Sequence, residues 1–181
     1  NLNIVVDGNE GSGVLELSQR ESGPPALVGT LDFETLDLRA FLGAFTNLPR
    51  SATNNSKIDT SFMSQLQTDL RVSANSANFD DTLLTDVAAT AQTTPDIALF
   101  DIGDASTFGG TLQARLRFDQ NPDKPTVDLS INGQDIDMTA AKAALTLPAI
   151  LPVGEANFNW KLTAPIGKWS DVFNNASGKI G

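Results

Sequence analysis

The sequence predicts a mainly β fold: a curved, mostly antiparallel sheet with one apolar face, shaped like an open groove or half-barrel, plus two or three short α-helices. Apolar and polar residues alternate strictly in several segments, which is typical of strands with one buried and one solvated face. Turn-forming residues separate these segments, and only a few short stretches change to a helical period. No segment shows the continuous apolar run of a parallel strand covered on both faces.

The alternation defines the predicted strands. In residues 112–118, for example, Leu116 and Phe118 alternate with Arg115 and Arg117. A period of two places all apolar side chains of such a segment on one face of a sheet. The predicted strands include residues 13–17, 29–33, 70–74, 112–118, 127–131 and 156–162.

Turns are predicted where Gly, Pro, Asn and Asp cluster. These clusters are Asp7-Gly8, Gly23-Pro24-Pro25, residues 121–125 and Asn132-Gly133. The polar segment 47–61 contains Pro49 and is the best linker candidate. We therefore predict one β-rich domain over residues 1–181, with a sub-boundary in the 47–61 linker.

Helical periodicity appears in residues 39–46, in residues 168–176 and, more briefly, in residues 139–145. The first and third of these follow similar tripeptides, Leu36-Asp37-Leu38 and Ile136-Asp137-Met138, which lie 100 residues apart. A strand, an apolar-Asp-apolar step and a short helix therefore occur twice. The alternative interpretation is a coincidence between two common pieces of structure. A repeat of a sheet module favours an extended architecture over a closed barrel.

Composition excludes several classes of function. The chain has 12 Lys and Arg against 22 Asp and Glu, a net charge of −10, whereas a nucleic-acid-binding protein needs a basic face. His, Cys and Tyr are absent, which removes Ser-His-Asp and Cys-His catalysis, zinc sites with N or S ligands, iron–sulfur clusters and disulfides. We therefore expect a binding or structural module without cofactor, metal or nucleic-acid partner, and not an enzyme.

Acidic residues offer two weak alternatives. Asp119 to Asp123 resembles the start of a calcium loop, but Lys124 stands where the loop needs Gly and Ser130 where it needs Glu, so a hairpin turn is the better interpretation. Carboxylates could also form a glycosidase pair, drawn from Asp101, Asp104 and Asp80-Asp81. The chain has two Trp and no Tyr as sugar platforms, so this hydrolase remains a remote third hypothesis.

The two tryptophans allow two interpretations. Trp160 and Trp169 line a ligand groove in the functional interpretation. In the structural one, which we slightly prefer, Trp160 packs against the helix that carries Trp169 and Phe173.

Three segments resemble AsmA-like proteins. Residues 29–38, GTLDFETLDL, resemble the family's strand, apolar-Asp-apolar and helix step. Residues 100–112, FDIGDASTFGGTL, resemble its strand, Phe-Gly-Gly turn and returning strand. Residues 169–179, WSDVFNNASGK, resemble its helix followed by Ser-Gly and another strand. The resemblance extends over most of the chain from about residue 11, while residues 47–61 have no counterpart.

The resemblance implies a Gram-negative envelope protein that is exposed to the periplasm and anchored in the inner membrane by an N-terminal helix. It also implies a long, curled sheet with an apolar groove, a link to outer-membrane biogenesis, conduction of phospholipid and no catalytic residues. The anchor is not present in this sequence, and the chain is too short to bridge an envelope. We therefore expect it to be the C-terminal region of a longer protein.

The leading hypothesis is a module that binds phospholipid or another acyl-chain lipid along the apolar face. The alternative is a structural or adhesive β-domain whose own helices close that face. The negative net charge favours recognition of lipid tails over anionic heads. We also expect weak edge-to-edge self-association, because an unpaired sheet edge recruits strands. The groove candidates are Leu112, Leu116, Phe118, Val127, Leu129, Ile131, Phe158, Trp160 and Leu162.

Overall fold

The computed structural model describes residues 2–6, 8–46, 48, 56–145, 153–174 and 177–180. Ten strands in the described part of the chain form a single open sheet, in which their spatial order equals their order in the sequence. The mainly β prediction is thus confirmed. The strands are β1 (Leu2–Val6), β2 (Asn9–Ser18), β3 (Ala26–Asp37), β4 (Gln67–Phe79), β5 (Thr82–Thr93), β6 (Ile97–Thr107), β7 (Gly110–Asp119), β8 (Thr126–Asp137), β9 (Glu155–Pro165) and β10 (Ser177–Ile180).

Strand pairing is antiparallel throughout the sheet except between β3 and β4. These two strands run side by side in parallel, from Ala26 opposite Gln67 to Asp37 opposite Asn78. A parallel pair needs a connection that returns the chain to the starting end of the sheet, and residues 38–66 supply it. The mostly antiparallel prediction is confirmed, while the parallel pair was not predicted.

Four short helices accompany the sheet in the described residues: α1 (Leu38–Thr46), α2 (Phe62–Gln65), α3 (Met138–Leu145) and α4 (Trp169–Asn174). Sequence periodicity predicted α1, α3 and α4 but not α2. We call the end of the sheet at which β3 and β8 finish, and α1 and α3 begin, the upper end.

Aspartates start two of the helices. The Asp37 Oδ1 accepts a hydrogen bond from the Ala40 N–H at 2.8 Å, and the Asp137 Oδ1 accepts one from the Thr139 N–H at 2.8 Å. Each carboxylate satisfies a backbone donor that has no partner inside the helix. The repeated strand, aspartate and helix step is therefore present twice. The two copies then diverge, because the chain returns parallel to β3 but antiparallel to β8.

The cap on α1 provides a test of this local structure. Asp37→Ala is expected to lower the free energy of unfolding by about 1 kcal/mol, because the Ala40 N–H loses its partner. Asp37→Asn keeps a side-chain acceptor and should retain most of the stability. Urea denaturation followed by circular dichroism measures both. Equal losses for the two variants would show that the charge matters and the hydrogen bond does not.

The hydrophobic core lies between one face of the sheet, the core face, and the covering segments α1, α2 and α4. Phe41, Met63 and Trp169 reach it from these helices, each at most 6% exposed. A run of aromatic rings crosses the core, with neighbouring centroids 5.4–6.4 Å apart. The run consists of Phe41, Phe45, Phe62, Phe100, Phe118 and Trp169. The centre of the core face is therefore closed by the chain itself.

The predicted linker is partly packed against this core. Residues 47 and 49–55 lie outside the described residues, but Ile58 is buried and its N–H donates to the Gly167 carbonyl at 2.9 Å. The Trp169 N–H likewise donates to the Ser56 carbonyl at 3.1 Å. The C-terminal end of the segment thus belongs to the covering layer. The sub-boundary itself stays a prediction.

Irregular residues interrupt three strands and change the phase of their alternation. Asp86 in β5 and Asp135 in β8 have left-handed backbones, with φ of 54° and 55°, where the pairing register shifts. A third register shift occurs in β6, after Ile102. Such bulges bend strands and increase their local twist.

One of the predicted turns is wrong. Asn132-Gly133 lies inside β8, paired with Asn159 and Phe158 of β9, because Gly133 continues the core-face positions of the strand. The turn between β6 and β7 lies at Phe108 and Gly109, as expected for the strand, Phe-Gly-Gly turn and returning strand of residues 100–112. Both residues have positive φ (48° and 78°), as a two-residue hairpin of this kind requires.

Candidate functional site

The register of β7, β8 and β9 places the predicted groove residues in rows across the core face. Phe118 is opposite Val127, Leu116 is opposite Leu129, and Leu129 is opposite Leu162. Nearer the upper end, Ile131 is opposite Trp160, and Gly133 is opposite both Leu112 and Phe158. The rows are thus one continuous apolar surface. The position of each row along the strands determines whether other parts of the chain cover it.

The lowest row belongs to the closed core. Phe118 is 0% exposed and Val127 is 1% exposed, and the Phe118 ring meets the Trp169 ring edge-on at 6.1 Å between centroids. Leu112 and Leu116 are half-buried and pack against the same core cluster. These four predicted groove residues therefore contribute to the core or to its border.

The remaining five candidates form what we call the apolar strip: Leu129, Ile131, Phe158, Trp160 and Leu162. Four of them are half-buried, whereas Trp160 is 45% exposed, and none belongs to the core cluster or its packed border. The strip is about 13 Å long along β9 and, with the neighbouring half-buried leucines of β7, about 10 Å wide. An area of this size accommodates a segment of an acyl chain.

A glycine fixes the upper end of the strip. The Phe158 ring lies over Gly133, where a Cβ would come within 2.5 Å of two ring carbons. Phe158 also contacts Trp160, with ring centroids 5.8 Å apart and planes inclined by 47°. The pair presents a broad aromatic surface beside the aliphatic side chains. In the sequence, Gly133 occupies an apolar-face position of the alternating segment that forms β8. The Asn132-Gly133 dipeptide concealed this position because it predicted a turn.

The two tryptophans have different environments. Trp169 is buried in the core, as the structural interpretation predicted, and it does not line an open groove. Among the side chains that the structure describes, the aromatic neighbour of Trp160 is Phe158. The side chain of Phe173 lies outside the described ones, so the packing of Trp160 against that helix stays a prediction. Trp160 is the most exposed side chain of the apolar strip.

The opposite face of the same strands is polar and held by ion pairs. Arg115 donates two hydrogen bonds to Asp101, at 2.9 and 3.3 Å, and these bonds together with the charge of Asp101 raise the pKa of the guanidinium above its ordinary value. Arg117 pairs with Asp119 at 2.8 Å and with Asp128 at 3.6 Å. These cross-strand pairs satisfy the charges locally, which leaves the two faces chemically distinct.

Three of the carboxylates named in the acidic alternatives, Asp119, Asp101 and Asp80, bind protein groups. The Asp119 Oδ1 accepts the Asn121 N–H at 3.0 Å, within the turn that resembled a calcium loop. Asp101 is held by Arg115, and Asp80 is held by Arg39. Within the described ranges, no group of three or more acidic side chains is placed to hold a metal ion. The calcium interpretation of the Asp119 turn therefore gains no supporting geometry from the described residues, and the carboxylate pair stays an untested hypothesis.

A shallow depression of about 470 Å³ lies at the upper end of β8 and β9. Phe158 borders it together with amides and carboxylates such as Asn157 and Asp135. The Asn157 Oδ1 accepts the Asp135 N–H at 2.7 Å and thereby supports the bulge of β8. The depression therefore has a polar side next to the apolar strip.

None of the described helices has the length and apolar composition needed to cross a membrane. The resemblance to AsmA-like proteins stays a prediction. Comparison of the chain with protein-family models, with curated proteins and with solved structures finds no match.

Proposed function

We propose that the chain is a non-enzymatic module that binds acyl chains of phospholipid along the apolar strip. The observation that carries the proposal is the position of Trp160, Phe158 and their neighbours. They continue the core face beyond the helices that cover it. Apolar side chains that no other part of the described protein covers gain free energy when a lipid tail removes them from water.

The expected affinity is modest and comes from the tail. Each buried methylene contributes about 0.8 kcal/mol, so seven methylenes contribute about 5–6 kcal/mol before the cost of association is subtracted. The net charge of −10 repels anionic head groups, and the cations on the polar face of β7 are held by aspartates. The strip therefore selects for acyl chains.

The resemblance to AsmA-like proteins supports the biological setting of this proposal. In that setting the module works in the periplasm, is connected to the inner membrane, and takes part in outer-membrane biogenesis by carrying phospholipid.

Photo-crosslinking tests the proposal. A photoactivatable amino acid in place of Leu129 is expected to capture phospholipid when the protein is incubated with vesicles of phosphatidylethanolamine and phosphatidylglycerol. Ser130 is the matched control, because it is the next residue in β8 and lies on the polar face. Mass spectrometry of the adducts should show lipid at position 129 and not at position 130.

Equal labelling at the two positions, or none at position 129, would contradict the proposal. An absence of labelling at position 129 favours the second candidate function, a structural β-domain that uses its own helices to close the apolar face. A specific observation already favours this second candidate. The aromatic run from Phe41 to Trp169 closes the centre of the core face without any ligand.

A further inference from the structure

A second depression lies on the polar face of β7, β8 and β9, and its volume is about 200 Å³. The apolar strip lies on the other face of the same strands, so this depression is a separate feature. Most of its lining residues have polar or charged side chains that alternate with the apolar ones: Arg115, Arg117, Asp128, Ser130, Lys161 and Thr163.

Two cations flank a hydroxyl group in this depression. Arg115 of β7 is opposite Ser130 of β8, and Ser130 is opposite Lys161 of β9. Neighbouring strands are about 5 Å apart, so the side chains of Arg115 and Lys161 begin about 10 Å apart, on either side of Ser130. Both side chains are long enough to reach one small anion that lies above the Ser130 hydroxyl.

The donors in this row are available to a ligand. Among the described residues, neither the Lys161 ammonium nor the Ser130 hydroxyl has a hydrogen-bond or ion-pair partner. Arg115 uses its Nε and Nη2 for Asp101, at 3.3 and 2.9 Å, and its Nη1 has no partner in the same part of the chain. The Arg115 side chain is 56% exposed, so a ligand in solution can reach it.

Carboxylates outside the depression hold its two guanidinium groups. Asp101 pairs with Arg115 from the β6 side, whereas the depression lies on the β8 side, and Asp119 pairs with Arg117 at 2.8 Å. Groups that are fixed before a ligand arrives lose less conformational entropy when it binds. The lining itself contains three cations and one carboxylate, Asp128, a net charge of +2 in a chain whose net charge is −10.

We propose that this depression binds the phosphate group of a soluble phosphomonoester through Arg115, Lys161 and the Ser130 hydroxyl. A guanidinium group presents donors in the geometry that phosphate oxygens accept, and the ammonium and hydroxyl groups add two more donors. The charge of a phosphomonoester, close to −2, matches the charge of the lining. A phosphodiester such as a lipid head group carries a single charge. Binding here does not depend on the binding of lipid at the apolar strip.

Titration with glycerol 3-phosphate, followed by the NMR shifts of backbone amides, tests the proposal. At an ionic strength of about 0.15 M the Debye length is about 8 Å, so salt screens the distant acidic residues more than the cations that touch the ligand. The amides of residues 130 and 161 are expected to shift along one saturable curve, with a Kd of about 1–10 mM. Chloride at the same ionic strength should not produce these shifts.

Charge-matched variants separate this depression from the overall field of the protein. Lys161→Gln is expected to weaken the binding of glycerol 3-phosphate at least about fivefold, and Ser130→Ala, which keeps every charge, about threefold. Arg71→Gln is the matched control, because it removes one exposed cation from the same polar face, three strands away from Arg115. It should bind like the unchanged protein.

Circular dichroism should show that all three variants fold. Shifts that do not saturate would overturn the proposal, and so would equal losses for Arg71→Gln and Lys161→Gln, because both results indicate a general response to charge. Glycerophosphoglycerol, a phosphodiester, is the second probe and is expected to bind at least about threefold more weakly than glycerol 3-phosphate. Equal or tighter binding of the diester would overturn the choice of a phosphomonoester and indicate a lipid head group as the source of the phosphate.

Discussion

Replacing Phe118 with alanine is expected to lower the free energy of unfolding by about 3–5 kcal/mol. The Phe118 ring is fully buried and lies between Phe100 and Trp169, with centroid distances of 6.4 and 6.1 Å. Its removal leaves a cavity that the sheet backbone cannot fill, because β7 is hydrogen-bonded to strands on both sides. Urea denaturation with fluorescence detection measures the loss.

Trp160→Ala is the control for this prediction. Trp160 is 45% exposed, so its removal should cost about 1 kcal/mol or less. The pair of variants separates the closed core from the apolar strip on the same face. A loss as large as that of Phe118→Ala would show that Trp160 is packed in solution and would count against a lipid-binding surface at this position.

Gly11→Ala is expected to destabilise the protein by about 1–3 kcal/mol, because overpacking a filled site forces its neighbours to move. A Cβ at position 11 would lie 2.6 Å from two carbons of the Phe33 ring and 2.9 Å from the Asp32 carbonyl oxygen. Phe33 is 2% exposed and has no room to tilt away. Thermal and urea denaturation measure the effect.

Two other glycines calibrate this result. Gly103→Ala should be nearly neutral, since the nearest atom to its added Cβ would be 3.8 Å away. Gly133→Ala should fall between the two, because Phe158 is only half-buried and its ring can tilt. If all three variants lost the same stability, the cost would come from the alanine backbone in a strand and not from contact with the ring.

The sequence was most informative where strands are regular. Residues 112–118 and 156–162 alternate without interruption, because β7 and β9 have no bulge over these residues and one face of each is polar. Helices α1 and α3 were predictable because an aspartate precedes each of them and caps it. Interactions between residues close in the sequence determine these elements, so short sequence patterns predict them.

Other features depend on distant parts of the chain. In β5, the buried residues Leu84 and Val87 are three positions apart because Asp86 bulges, so the strand lacks a clean period of two. The parallel pairing of β3 with β4 was hidden because an alternating strand has the same pattern in either orientation. The crossover between them contains the polar segment that resembled a linker.

The sequence predicted which face of the sheet carries the candidate site, but not how far the uncovered part of that face extends. Alternation assigned all nine groove candidates to one side of the sheet, and the structure places them there. Whether a residue on that side is covered depends on where α4 lies. Trp169 covers Phe118 and not Trp160, and no pattern within β7 or β9 contains that information.

The parallel pair of β3 and β4 has a consequence for the order of folding. Every other neighbouring pair in the sheet joins strands that are consecutive and antiparallel, so most of these ladders can grow outward from a nearby reversal of the chain. Pairing β3 with β4 instead requires residues 38–66 to close a long loop, which costs conformational entropy before any contact repays it. Two meanders, β1–β3 and β4–β10, can therefore form early and separately. We expect their union along β3 and β4, with α1 packed against both strands, to be the slow event that completes the native sheet.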